Sequence, residues 1–142
     1  MARQIDTIHI LLAASLLPGK TEAWWRLAQE IAGWQRCAYV LSRRALGIKA
    51  EWLWLTKAGT ADIAVITVVA AQPERLWGEM VRSERPFDGW FCQQLEMLLG
   101  IDRKRLGALP CERVLTWQER RYGVMTEMQK RDIDNCKNQL IH

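Results

Sequence analysis

The sequence predicts an α+β domain of the ferredoxin-like kind, β-α-β-β-α-β around one antiparallel sheet. Three observations predict it. Apolar segments with strand and helix periodicity alternate in that order along the chain. Two of them, 51–56 and 62–70, are separated only by a turn, as a hairpin requires. At 142 residues and 49% hydrophobic, the chain suits one compact core. A single unit of this kind leaves one sheet face that has to be covered.

Residues 6–16 read as the first strand, with Ile8, Ile10 and Leu12 on one face and Thr7, His9, Leu11 and Ala13 on the other. Pro18 and Gly19 end it, and Thr21 is placed to cap a helix, with Glu22 set favourably against the helix dipole. Trp24, Leu27, Ala28, Ile31, Ala38, Leu41 and Ala45 recur at helical spacing, which predicts one helix over 22–46 with Gly47 as its left-handed stop. Gly33 in its middle predicts a kink or a close approach. Residues 51–56 alternate, with Trp52 and Trp54 on one face and Leu53 and Leu55 on the other. After a turn at 57–60, residues 62–70 are apolar and β-branched without interruption, the pattern of a central strand buried on both faces. Pro73 and Glu74 open a short helix to about residue 82. Pro86 breaks the pattern, and Phe87, Trp90, Phe91, Gln94, Leu95 and Leu98 mark a second helical piece that Gly100 stops. Residues 113–117 read as the last strand, giving a domain over 1–117. The polar stretch 118–142 reads as a tail or weak helix, a candidate contact for another protein.

Composition narrows the function classes. The net charge of +4 comes from 20 basic and 16 acidic residues scattered along the chain, and the longest basic cluster is Arg103-Lys104-Arg105. A nucleic-acid partner is not expected from such scatter. The cysteines Cys37, Cys92, Cys111 and Cys136 form no CxxC pair, and with two histidines no zinc spacing arises, so reduced structural thiols and no metal are expected. The segment 1–17 imitates a weak signal peptide, with Arg3 ahead of an apolar run. Asp6 and His9 interrupt it and no cleavage site follows in register, so it reads as the first strand of a cytoplasmic protein. No run approaches the roughly twenty apolar residues that span a bilayer. No GxGxxG, Walker or GxSxG motif is present, so no cofactor is predicted.

The stretch from Ile5 to Trp117 resembles the dimeric α+β barrel superfamily, which includes antibiotic-biosynthesis monooxygenases. Leu17-Pro18-Gly19-Lys20-Thr21-Glu22-Ala23-Trp24, Ser42-Arg43-Arg44-Ala45-Leu46-Gly47-Ile48 and Pro86-Phe87-Asp88-Gly89-Trp90-Phe91 are similar to segments of an uncharacterised bacterial family within it. The resemblance implies a homodimer whose two sheets pair into a barrel, with a pocket in each subunit between sheet and helices. It does not imply one chemistry, because unrelated activities share this scaffold.

Eight tryptophans are the most unusual feature of the composition. Each fits a core or interface, but alternation puts Trp52 and Trp54 together on one sheet surface, either the dimer seam or the wall of an aromatic-lined pocket. Phe87 and Trp90, on the second helical layer, are the other candidate walls for a small aromatic or hydrophobic ligand. His9 is the histidine inside the predicted fold, a structural side chain or a proton acceptor; the resemblance implies the second, since some superfamily enzymes carry a first-strand histidine in the pocket. Tyr39 and Arg43, four residues apart on one helix face, are either solvated or present a hydroxyl and a guanidinium to a ligand. Asp88 reads as a structural carboxylate at a helix start, and Asp62 as a turn residue. Two classes follow: a small-molecule binding protein that extends to cofactor-independent monooxygenation or cyclisation through His9, Tyr39 and Arg43, or a non-catalytic homodimeric module.

Overall fold

A computed structural model describes residues 7–106 and 135–139. Three strands form one sheet: β1 (Ile8–Ser15), β2 (Ile48–Ala58) and β3 (Ala61–Ala70), in the order β1-β3-β2. Both β1 and β2 pair antiparallel with β3, so they run parallel to each other and are joined by a helical crossover. That is a split βαβ unit, and β3 is its central strand, as expected from its unbroken apolar run. The predicted last strand, 113–117, lies outside the described residues. So does most of 118–142, of which 135–139 is helical, with Cys136 buried and Gln139 accepting a hydrogen bond from Cys37 Sγ at 2.9 Å.

The predicted single helix over 22–46 is two helices, α1 (Thr21–Ala32) and α2 (Arg36–Ala45). The break falls at Gly33, whose N–H closes α1 on the carbonyls of Gln29 and Glu30. A Cβ at Gly33 would stand 3.0 Å from the Gln29 oxygen, so the chain turns there without room for a side chain. Thr21 does not cap α1. It is the first helical residue, and its hydroxyl donates to the Asp62 carboxylate instead. Asp62 is thus more than a turn residue, since its carbonyl also accepts from Leu16 N–H at 2.9 Å.

After β3, a 3-10 turn at Pro73–Arg75 leads into α3 (Leu76–Arg82), and α4 (Pro86–Leu99) follows the break at 83–85 and ends at Gly100, φ 68°. A last short helix, α5, spans Arg103–Leu106. The core lies between one face of the sheet and the helices. Ala64, Ile66 and Val68 of β3 are fully buried there, against Trp24, Leu27, Met80, Phe91 and Leu95 among others.

One irregularity redistributes β1. The register slips between Ile10 and Leu12, so Leu11 is an extra residue in a β-bulge. Predicted to alternate evenly, the strand instead puts Leu12 on the helix side with His9 and Ala14, while Ala13 joins Ile8 and Ile10 on the other face. Both Leu11 and Leu12 are buried as a result. The bulge carbonyl at Leu11 accepts from the Trp77 indole N–H at 2.7 Å, which gives that buried tryptophan its acceptor.

Candidate functional site

The candidate residues divide between the two faces of the sheet. Register puts Glu51, Leu53 and Leu55 of β2 on the helix side with His9, and Trp52 and Trp54 on the opposite face beside Thr67 and Val65. Ile8, Ile10 and Ala13 share that opposite face. No described helix covers it, and Ile8, Ile10, Trp52 and Trp54 are 45%, 49%, 40% and 52% exposed. Ser15, Ala50, Thr56, Ala58, Ala61, Ile63 and the buried Val69 complete the surface by register, so its paired positions carry no charged side chain. Trp54 is oriented on it by a hydrogen bond from its indole N–H to Thr67 Oγ1 at 2.9 Å.

Along the outer edge of β2, under α1, runs a groove of about 320 Å³ lined by Ala28, Ile31, Glu51, Trp52, Leu53 and Trp54. The small side chain of Ala28 leaves room on the helix wall, and the edge of β2 from Glu51 to Trp54 supplies the strand wall. At one end the Trp24 indole N–H donates to the Trp54 carbonyl at 3.2 Å, tying α1 to the strand.

Behind this edge lies a buried ionic network that holds Tyr39 and Arg43. The Arg43 Nε bonds Glu51 Oε1 at 2.9 Å, with Nη2 3.4 Å from Oε2, and Nη1 donates to Ser42 Oγ at 3.1 Å and stands 3.7 Å from Asp88 Oδ1. Tyr39 O–H donates to Glu51 Oε1 at 2.6 Å, and Ser42 O–H donates to Asp88. From the surface, Arg85 Nε reaches Asp88 Oδ2 at 2.8 Å. The guanidinium lies 4.9, 5.2 and 4.5 Å from the ring centres of Tyr39, Phe87 and Phe91. Phe87 in turn meets Trp90 at 5.6 Å, and Trp90 meets the exposed Trp34 edge-on at 6.1 Å.

Burial alone works against the charge on Arg43, but Glu51, Tyr39 and Asp88 more than offset it and hold its pKa above the usual value. Burial, then the neighbouring Glu51 carboxylate, raises the Tyr39 hydroxyl far beyond its ordinary range, so it remains a neutral donor. Burial likewise pushes the Cys92 thiol up.

Tyr39 and Arg43 share a face, as their spacing predicts, and Phe87 and Trp90 join them. Arg43 is nonetheless buried rather than solvated; both residues bond Glu51, and Arg43 also donates to Ser42. His9, half-buried, lies in the row His9–Val68–Glu51, on the far side of the central strand from that carboxylate. Trp52 and Trp54 belong to the other surface. Sequence reasoning missed Glu51, although its position in the register of Leu53 and Leu55 marks a carboxylate pointing into the core. Among the described residues, no group of three or more His, Cys, Asp or Glu side chains could hold a metal, and no helix is long and apolar enough to cross a membrane. No family model, curated protein or solved structure matches the chain.

Proposed function

We propose that this protein binds a small planar aromatic or hydrophobic molecule against Trp52 and Trp54, and works as a pair of copies whose open sheet faces meet in the manner of a dimeric α+β barrel. The observation that carries the reading is the pair of half-exposed indoles on an uncharged sheet face, next to a groove of about 320 Å³. That volume is at the small end of ligand sites, which run from roughly 300 to 1,000 Å³, and suits a two-ring molecule. The sequence of β3 supports the pairing. Its Ile63, Val65 and Thr67 face away from the helices, yet they are β-branched residues of a central strand that would normally be covered on both sides. The split βαβ order of β1, β2 and β3 agrees with a ferredoxin-like sheet.

Binding is favoured over turnover. Tyr39 and Arg43, the residues weighed for orienting a substrate, are saturated by Glu51 and Ser42, and His9 lies across β3 from them. Tryptophan fluorescence during titration with naphthalene tests the reading, alongside light scattering to count subunits. Quenching that is lost in Trp54→Ala, in a species of twice the chain mass, is the expected result. A dimer with no response to any planar aromatic would leave the non-catalytic interaction module as the better account, and a monomer with no response would remove both.

A further inference from the structure

The groove has a chemical feature that an apolar slot lacks: an unpaired strand edge. Its phase follows from one hydrogen bond. Leu16 N–H donates to the Asp62 carbonyl at 2.9 Å, so Asp62 and, two and four residues on, Ala64 and Ile66 turn their backbone groups toward β1. Ile63, Val65 and Thr67 then turn theirs toward β2, where they meet Thr56, Trp54 and Trp52. Glu51 and Leu53 are left with N–H and C=O groups pointing outward, into the groove they line. Among the described residues no strand pairs with that edge.

We propose that the ligand is a flat heteroaromatic lactam or cyclic amide whose adjacent N–H and C=O pair with the backbone C=O and N–H of Leu53, its ring lying in the groove beside Ala28 and Ile31. This rests on the small-molecule reading above and names the ligand class for the same site. An extended residue presents its donor and acceptor side by side on one edge, and a lactam offers the complementary pair in the same plane as its ring. The Glu51 carboxylate takes no part, because Tyr39 and Arg43 occupy it. Selection therefore comes from the backbone edge and the apolar helix wall, with no charge required on the ligand.

The test compares 2-quinolinone, 1-methyl-2-quinolinone and naphthalene by calorimetry, with the backbone amide of Leu53 followed by NMR. Two hydrogen bonds of ordinary net worth predict about tenfold tighter binding of 2-quinolinone than of either analogue, together with a shift of the Leu53 amide that only the lactam with a free N–H produces. Leu53→Pro removes the outward N–H without touching the β2–β3 ladder, because proline is tolerated where an edge N–H faces away from the sheet. In that variant, with its strand content checked by circular dichroism, the preference should fall to about threefold or less. Equal affinities for all three compounds, with no Leu53 shift, would overturn the edge recognition and leave the aromatic-binding reading standing. No binding of any of them would overturn both. The ligand series on the unaltered protein decides the matter even if Leu53→Pro does not fold.

Discussion

Arg43 shows how far a side chain's role depends on partners that sequence spacing does not reveal. From the sequence it was a cation near a helix end, paired by helical spacing with Tyr39. In the fold it is enclosed by two carboxylates and three rings. The spacing of Tyr39 and Arg43 was legible because it is local, whereas Glu51 and Asp88 reach Arg43 from β2 and α4, separations that periodicity cannot bridge. Removing one partner of such a buried pair leaves the other charge without compensation, which typically costs about 3–5 kcal/mol. Glu51→Ala should therefore lower stability by about that much in urea unfolding, and Arg43→Met by a similar amount, while Arg85→Ala, whose side chain is 43% exposed, should cost under about 1 kcal/mol. Tyr39 gives a pH test. Its folded pKa is raised above the unfolded value near 10, so the folded state holds the proton more tightly, and stability is full below pH 10 and declines as pH rises above it. Alkaline unfolding should be shallower in Tyr39→Phe. With Tyr122→Phe as background, tyrosinate absorbance from Tyr39 should appear only together with unfolding.

The strands and helices were largely readable, and the departures have local causes. The α1–α2 break was foreshadowed by Gly33, but a helix pattern that stays in phase on both sides hides whether such a glycine bends or ends it. The β1 bulge was invisible because Leu11 and Leu12 are both apolar, so either register satisfies the alternation. Trp77, whose indole N–H reaches the Leu11 carbonyl, holds that irregularity, and Trp77→Phe should cost about 1–3 kcal/mol by leaving the carbonyl unsatisfied in the core. The two glycine stops separate backbone strain from packing. At Gly47, φ 75°, an added Cβ meets nothing within 4 Å, so Gly47→Ala should cost only the left-handed strain of about 1 kcal/mol. At Gly100, φ 68°, the same atom would stand 2.9 Å from a Leu17 methyl, so Gly100→Ala should cost about 1 kcal/mol more, read as a larger drop in Tm. Equal drops would mean that Leu17 yields freely.

At the scale of the whole molecule, the two sides of the sheet meet different fates. The helix side is closed by an apolar core and the Arg43 network, while the other carries Ile8, Ile10, Trp52 and Trp54 without charge and without a described layer over it. That asymmetry was partly readable from the sequence, because apolar residues at both parities of 62–70 already require two covering layers. The identity of the second layer could not be read, since periodicity marks a face as apolar without saying what packs on it. In the proposed pairing, two-fold symmetry makes every substitution on this face count twice, so one lysine brings two buried like charges into the seam. Ile10→Lys lies on the open face beside the central strand, opposite Thr67, and its side chain is already half exposed in the single chain. It should therefore leave the circular dichroism spectrum unchanged and shift the mass measured by light scattering from two chains to one. Arg26→Glu, on α1 away from the sheet surface, should leave the mass at two chains. A dimer that survives Ile10→Lys intact would have to be joined elsewhere, and the open face would then be free for the ligand alone.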